Sequence, residues 1–127
     1  MARQKYTFDY VIRSSPTILF PFLSTPSGLS QWFAEEVDQH QDKFVFVWEG
    51  YGENAMLLEQ EDEEYIRFQM ESGDKDEYLE FKIEKSEITD DTILVITDFG
   101  DIGEYEDLKR LWTSQIDTLL SRLGARG

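Results

Sequence analysis

Tyr6, Phe8, Tyr10 and Ile12 fall two residues apart near the start of the chain, the spacing that puts them on one face of a β-strand from Tyr6 to Arg13. The period then changes. Ser14 or Ser15 can cap a helix whose first turn holds Pro16, where a missing N–H costs nothing. Ile18, Leu19, Phe22 and Leu23 give that helix a buried stripe, and Pro21 keeps it short. Thr25-Pro26 opens a second short helix, with Leu29, Trp32 and Phe33 at helical spacing. Residues 34–42 are polar and aperiodic, and read as a loop.

A run of strands and turns follows. Phe44 to Trp48 is apolar on both faces, as in a strand covered on both sides or lying over a pocket. Gly50-Tyr51-Gly52 turns the chain into a strand from Asn54 to Gln60, and Glu61 to Glu64 is an acidic turn. Tyr65 to Glu71 places Ile66, Phe68 and Met70 on one face. Ser72 to Asp76 turns into Tyr78 to Lys85, where Leu79, Phe81 and Ile83 alternate with Glu80, Lys82 and Glu84, so one face of the sheet meets water. Thr89-Asp90-Asp91 leads to a last strand, Thr92 to Phe99.

From Glu104 the period is 3.6. Leu108, Leu111, Trp112, Ile116, Leu119 and Leu123 form one stripe. Glu104, Glu106 and Asp107 begin this helix and Arg122 ends it, as the helix dipole favours, and Gly124 supplies a C-cap. The order predicts an α+β fold: two short helices after strand 1, then a curved antiparallel sheet of about six strands wrapped around a long C-terminal helix. With no repeat, linker or low-complexity tract, residues 1–127 read as one domain.

Composition narrows the function classes. Asp and Glu number 27 against 12 Lys and Arg, a net charge of −15, and no basic cluster stands out. Such a field repels phosphate, which argues against nucleic acid as a partner and suits a basic protein partner. The absence of cysteine removes disulfides, thiolate metal sites and cysteine nucleophiles. No apolar run approaches the roughly 20 residues of a membrane span, and none near the N-terminus resembles a signal peptide. The chain reads as cytoplasmic, as a monomer or a homodimer.

The strand Tyr6 to Arg13, the Ser15-Pro16 helix start, the phrase Leu29-Ser30-Gln31-Trp32-Phe33 and the terminal helix bearing Trp112 resemble the START-like, or SRPBCC, helix-grip superfamily. Within it they are most similar to the branch of heat-shock chaperone ATPase-activator homologues. The resemblance covers nearly the whole chain. It implies a long C-terminal helix gripped by the sheet, with a hydrophobic ligand such as a lipid or polyketide between them. It implies no catalytic residue, because that superfamily shares no catalytic constellation.

A pocket of that kind would set Leu108, Leu111, Trp112, Gln115, Ile116 and Leu119 of the helix against Phe46, Trp48, Met56, Phe68, Phe81, Val95 and Thr97 of the sheet. Trp32 joins this set; it and Trp112 could close the mouth or stack on a flat ligand, although large aromatics at helical spacing more often pack as plain core. A shift of one residue in register would exchange the two faces of any strand. Gln115 is an amide within an apolar stripe and needs a partner, most simply a backbone carbonyl or hydroxyl from the sheet.

Other chemistry finds little support. His40, near Glu35, Glu36 and Asp38, has no second His or Cys to complete a zinc site. Glu61 to Glu64 lacks the spaced ligands of a calcium loop. Gly50, Gly52, Gly100 and Gly103 form no phosphate loop, and Ser14, Ser15 and Ser30 have no neighbouring base. No cofactor is called for. A cyclase or dehydratase would need acid–base groups on the inner face, where Gln115, Thr97, Tyr10, Tyr51 and Asp98 are the candidates. Ligand binding without chemistry therefore leads, with a protein-interaction or co-chaperone-like module as the alternative.

Overall fold

A computed structural model describes residues 2–124. Strand β1 (Arg3–Ile12) carries the predicted alternation: Tyr6, Phe8 and Ile12 are buried while Thr7, Asp9 and Val11 face water. Helix α1 (Pro16–Ser24) starts where the sequence places it, with the Ser15 hydroxyl accepting from the Ile18 amide at 3.2 Å. Its buried residues are Leu19, Phe20 and Leu23; Phe20 takes the place expected of Ile18, which is exposed. Pro21 lies inside α1, and its carbonyl accepts from both the amide and the hydroxyl of Thr25. Thr25 then caps α2 (Pro26–Leu29) through a bond from the Gly28 amide.

The next element departs from expectation. Residues 36–40, read as loop, form strand β2 (Glu36–His40). It pairs antiparallel with β3 (Lys43–Trp48), placing Val37 opposite Phe46. The chain then winds through β4 (Tyr51–Glu61), β5 (Tyr65–Met70), β6 (Leu79–Lys85) and β7 (Thr92–Asp101). The sheet therefore has seven strands, not six, in the order β1-β7-β6-β5-β4-β3-β2, with every neighbouring pair antiparallel. The turn between β3 and β4 is Glu49-Gly50, both with positive φ, the signature of a tight hairpin; Tyr51 and Gly52 already belong to β4.

Helix α3 (Tyr105–Leu123) ends at Gly124 in the left-handed conformation, as the sequence predicts. It lies on the same face of the sheet as α1 and α2. Polar tethers fix it there: the Trp112 indole donates to Asp98 on β7 at 3.0 Å, and the Tyr10 and Thr113 hydroxyls lie 3.0 Å apart. Gln115 donates to the Phe33 carbonyl at 3.2 Å.

The space inside the grip is largely filled. Phe33 packs edge-on against Phe46, Trp48 and Phe81 and stacks on Trp112. Phe44, Phe46, Phe68 and Phe81 are fully buried. Each such ring removes a large apolar area from water, so this cluster is a main source of stability. Gly28 allows it to close: a Cβ there would sit 2.1 Å from the Pro21 carbonyl oxygen and 2.6 Å from the Phe22 Cα. Only glycine lets α1 and α2 approach so closely, and that approach aims Trp32 and Phe33 into the core.

Candidate ligand cleft between the terminal helix and the sheet

Beside the filled core, a cleft of about 410 Å³ remains where α3 passes over the sheet. Leu111 and Trp112 of α3 form one wall, with Gln115 beyond them; Phe33, Trp48, Glu53, Met70, Leu79 and Asp98 complete the lining. The register explains the convergence. Glu53 opposes Phe46 across β3 and β4, so its side chain rises on the helix-facing side. Asp98 occupies the position on β7 between inward Ile96 and Gly100.

The polar groups of the cleft are held in place. Asp98 is mostly buried; one carboxylate oxygen accepts from the Phe99 amide at 2.8 Å and the other from the Trp112 indole. Burial pushes its carboxyl above the usual aspartate value, against the lowering effect of those two bonds. Among the described residues it makes no ion pair; the nearby Arg3 guanidinium is bonded to Glu77 and Asp101. Glu53 accepts from the backbone and hydroxyl of Ser72. The Phe33 carbonyl accepts from both Gln115 and the Trp48 indole, the latter at 2.6 Å. Gln115 thus has the carbonyl partner its position called for, though from the segment after α2 and not from the sheet.

The thirteen residues expected to line a pocket fall into three groups. Trp48, Leu111, Trp112 and Gln115 meet at the cleft. Trp32, Phe46, Phe68, Phe81, Ile116 and Leu119 are buried in the core beneath it, and Leu108 packs against that core over Gly100. Met56 and Thr97 do not belong. Met56 lies opposite Lys43, on the outer side of the sheet, and is 49% exposed. Thr97 is buried, but on that same outer side, in the row Thr7–Thr97–Glu80–Arg67, and Val95 shares its face. In both strands the inward parity is one residue away from the expected one, at Ala55 and at Asp98.

Phe33, Glu53, Met70 and Leu79 line the cleft without having been singled out for it. Leu79 and Met70 were legible as inward from the alternation in β5 and β6. Asp98 was named only as an inner-face polar group. His40 is exposed on the edge strand β2, and among the described residues no three His, Asp or Glu gather as a metal would require. Among those residues, too, no helix is long and apolar enough to cross a membrane.

Comparison with known proteins agrees with this architecture. A family model described as a START-like superfamily domain matches residues 1–125. The solution structure of BfR322 from Bacteroides fragilis shares 33% identity, covering 100% of this chain and 95% of that one, with a TM-score of 0.68. The crystal structure of MLL2253 from Mesorhizobium loti superposes with a TM-score of 0.78 at 14% identity, over 98% of this chain and 99% of that one. The Aha1 dimer from Colwellia psychrerythraea superposes with a TM-score of 0.73 at 16% identity, covering 97% and 96%. No curated protein matches the chain.

Proposed function

The chain belongs to the START-like superfamily, and from that premise we propose that it holds a small hydrophobic ligand in the cleft between α3 and the sheet, without transforming it. The observation that carries this reading is the cleft itself: about 410 Å³ bounded by Leu111, Trp112, Phe33, Trp48, Met70 and Leu79, in a domain whose interior is otherwise packed with aromatic rings. Apolar walls with a few placed polar groups are the usual make-up of a small-molecule site. The volume suits one compact ring system or one acyl segment. Phe33 and its neighbours fill much of the space between helix and sheet, which leaves the cleft beside them.

Acid–base catalysis is the weaker reading. Its candidates would be Asp98 and Glu53, and both carboxylates already accept bonds that fix their orientation. A protein-interaction role draws on a different observation, the filled core together with a net charge of −15. Native mass spectrometry with solvent extraction separates the two. A defined apolar adduct that raises the melting temperature on re-addition supports the cleft. A bare mass, with no stabilisation by a panel of lipids and aromatic polyketides, would overturn it in favour of a basic protein partner.

A further inference from the structure

Resting on that reading of the cleft, we propose that its occupant is a cationic amphiphile, an apolar body with an ammonium head that docks against Asp98. Among the described residues, the side chains that could offer the cleft a hydrogen are largely committed, one N–H of the Gln115 amide excepted. The Trp112 indole donates to Asp98, the Trp48 indole to the Phe33 carbonyl, and the Gln115 amide nitrogen to the same carbonyl. No Lys, Arg or His among the described residues lines the cleft. The side-chain polar groups left to meet a guest are the remaining lone pairs of Asp98 and Glu53 and the carbonyl oxygen of Gln115, all acceptors, against one uncharged donor, the second N–H of Gln115. Among the described residues a carboxylate or phosphate head would find one neutral donor and two like charges there, whereas an ammonium head brings donors together with the opposite charge.

Asp98 supplies the anchor. It is a mostly buried carboxylate with one hydrogen bond on each oxygen and, among the described residues, no ion pair. A carboxylate withdrawn from water with no ion-pair partner of its own is costly, the Arg3 guanidinium nearby being shared with Glu77 and Asp101. A guest cation would offset that cost. Burial raises the Asp98 carboxyl despite the lowering effect of the Trp112 and Phe99 bonds and of Arg3. The net charge of −15 acts in the same direction at longer range, drawing cations toward the protein and repelling fatty acids.

The test uses one alkyl chain with three heads: dodecylamine, dodecanol and dodecanoate, each kept below its aggregation concentration. Each is titrated into the 127-residue chain while the Trp112 indole N–H resonance is followed, because that group bonds Asp98 directly. The amine should bind at least about 10-fold more tightly than the alcohol, with the acid weakest, and Asp98→Asn should bring the amine to within about 3-fold of the alcohol. Should Asp98→Asn fail to fold, wild type at high salt decides. An amine advantage retained there comes from a desolvated partner in the cleft, and one that vanishes comes from overall charge and overturns the assignment. Equal or tighter binding of the acid, or an amine advantage unchanged in a folded Asp98→Asn protein, overturns the headgroup inference and leaves the cleft reading standing. If none of the three moves the Trp112 resonance, this inference fails, and solvent extraction with the ligand panel decides the cleft reading separately.

Discussion

Phe33 and Trp112 lie face to face, with ring planes 7° apart and centroids 5.9 Å apart. One comes from the segment after a four-residue helix and the other from the middle of α3, so the pair joins the two helical parts of the grip over Phe81. Trp112 is therefore both wall and core: it is 3% exposed, stacked on one ring, edge-on to another and bonded through its indole. Trp112→Ala should cost about 3–5 kcal/mol of stability in urea unfolding, the range for a large aromatic removed from a packed interior. A loss below about 1.5 kcal/mol would mean that the ring stands at an open space and contributes little packing.

Leu111 is the contrasting neighbour. It is 52% exposed and lines the cleft, a leucine held half in water on an otherwise polar part of the helix surface. Leu111→Ala should change stability by less than about 0.5 kcal/mol, as surface substitutions do, yet weaken an apolar ligand about 5-fold. Isothermal titration beside thermal unfolding reads both. A variant that loses stability but not affinity would remove Leu111 from the site.

Gly28→Ala tests the helix contact that aims Phe33. The added methyl group meets the Pro21 carbonyl and Phe22 backbone, which cannot move aside as a side-chain tip can. A loss of about 3 kcal/mol or a failure to fold is expected. In any folded fraction the 2.8 Å bond from the Trp32 indole to the Phe22 carbonyl should break, shifting that indole resonance. An unperturbed Trp32 resonance at full stability would refute the close contact.

Acidity should move stability through two carboxyls in opposite directions. Burial raises Asp98, so between the ordinary aspartate value and its folded value the folded chain keeps a proton that the unfolded chain has lost. Stability falls as pH rises through that window, and wild type should gain on Asp98→Asn as pH is lowered through it. The Arg3 guanidinium holds Glu77 below the ordinary glutamate value. Its contribution is present above that value and is lost as pH falls through the folded one, so the deficit of Glu77→Gln should shrink on acidification. Denaturant unfolding across the acid range would show either sign reversed.

Element order was readable from period and caps: Ser15-Pro16, Thr25-Pro26 and Gly124 mark helix boundaries that the structure keeps. β2 was not, because Glu36 to His40 carries one apolar residue, Val37, and owes its place to main-chain pairing with β3. A charged edge strand of that kind discourages further pairing and leaves little hydrophobic signal. The inward face of β7 was hidden for the opposite reason. Thr92 to Ile96 is apolar at nearly every position, since β7 lies between β1 and β6 and is largely covered on both sides. Without alternation the parity cannot be read, so Thr97 stood in for Asp98. Met56 was misplaced on β4, where apolar and polar residues also fail to alternate.

The Phe33 carbonyl accepts from Trp48 on β3 and from Gln115 on α3 at once, so both lone pairs of one oxygen are in use. Strand and helix are thereby fastened through an atom that belongs to neither, at the rim of the cleft. To draw α3 away from β3 there, the chain would have to give up at least one of the two bonds. A guest of the proposed cleft would meet walls whose spacing that shared oxygen already sets, and would have less ordering of them left to do.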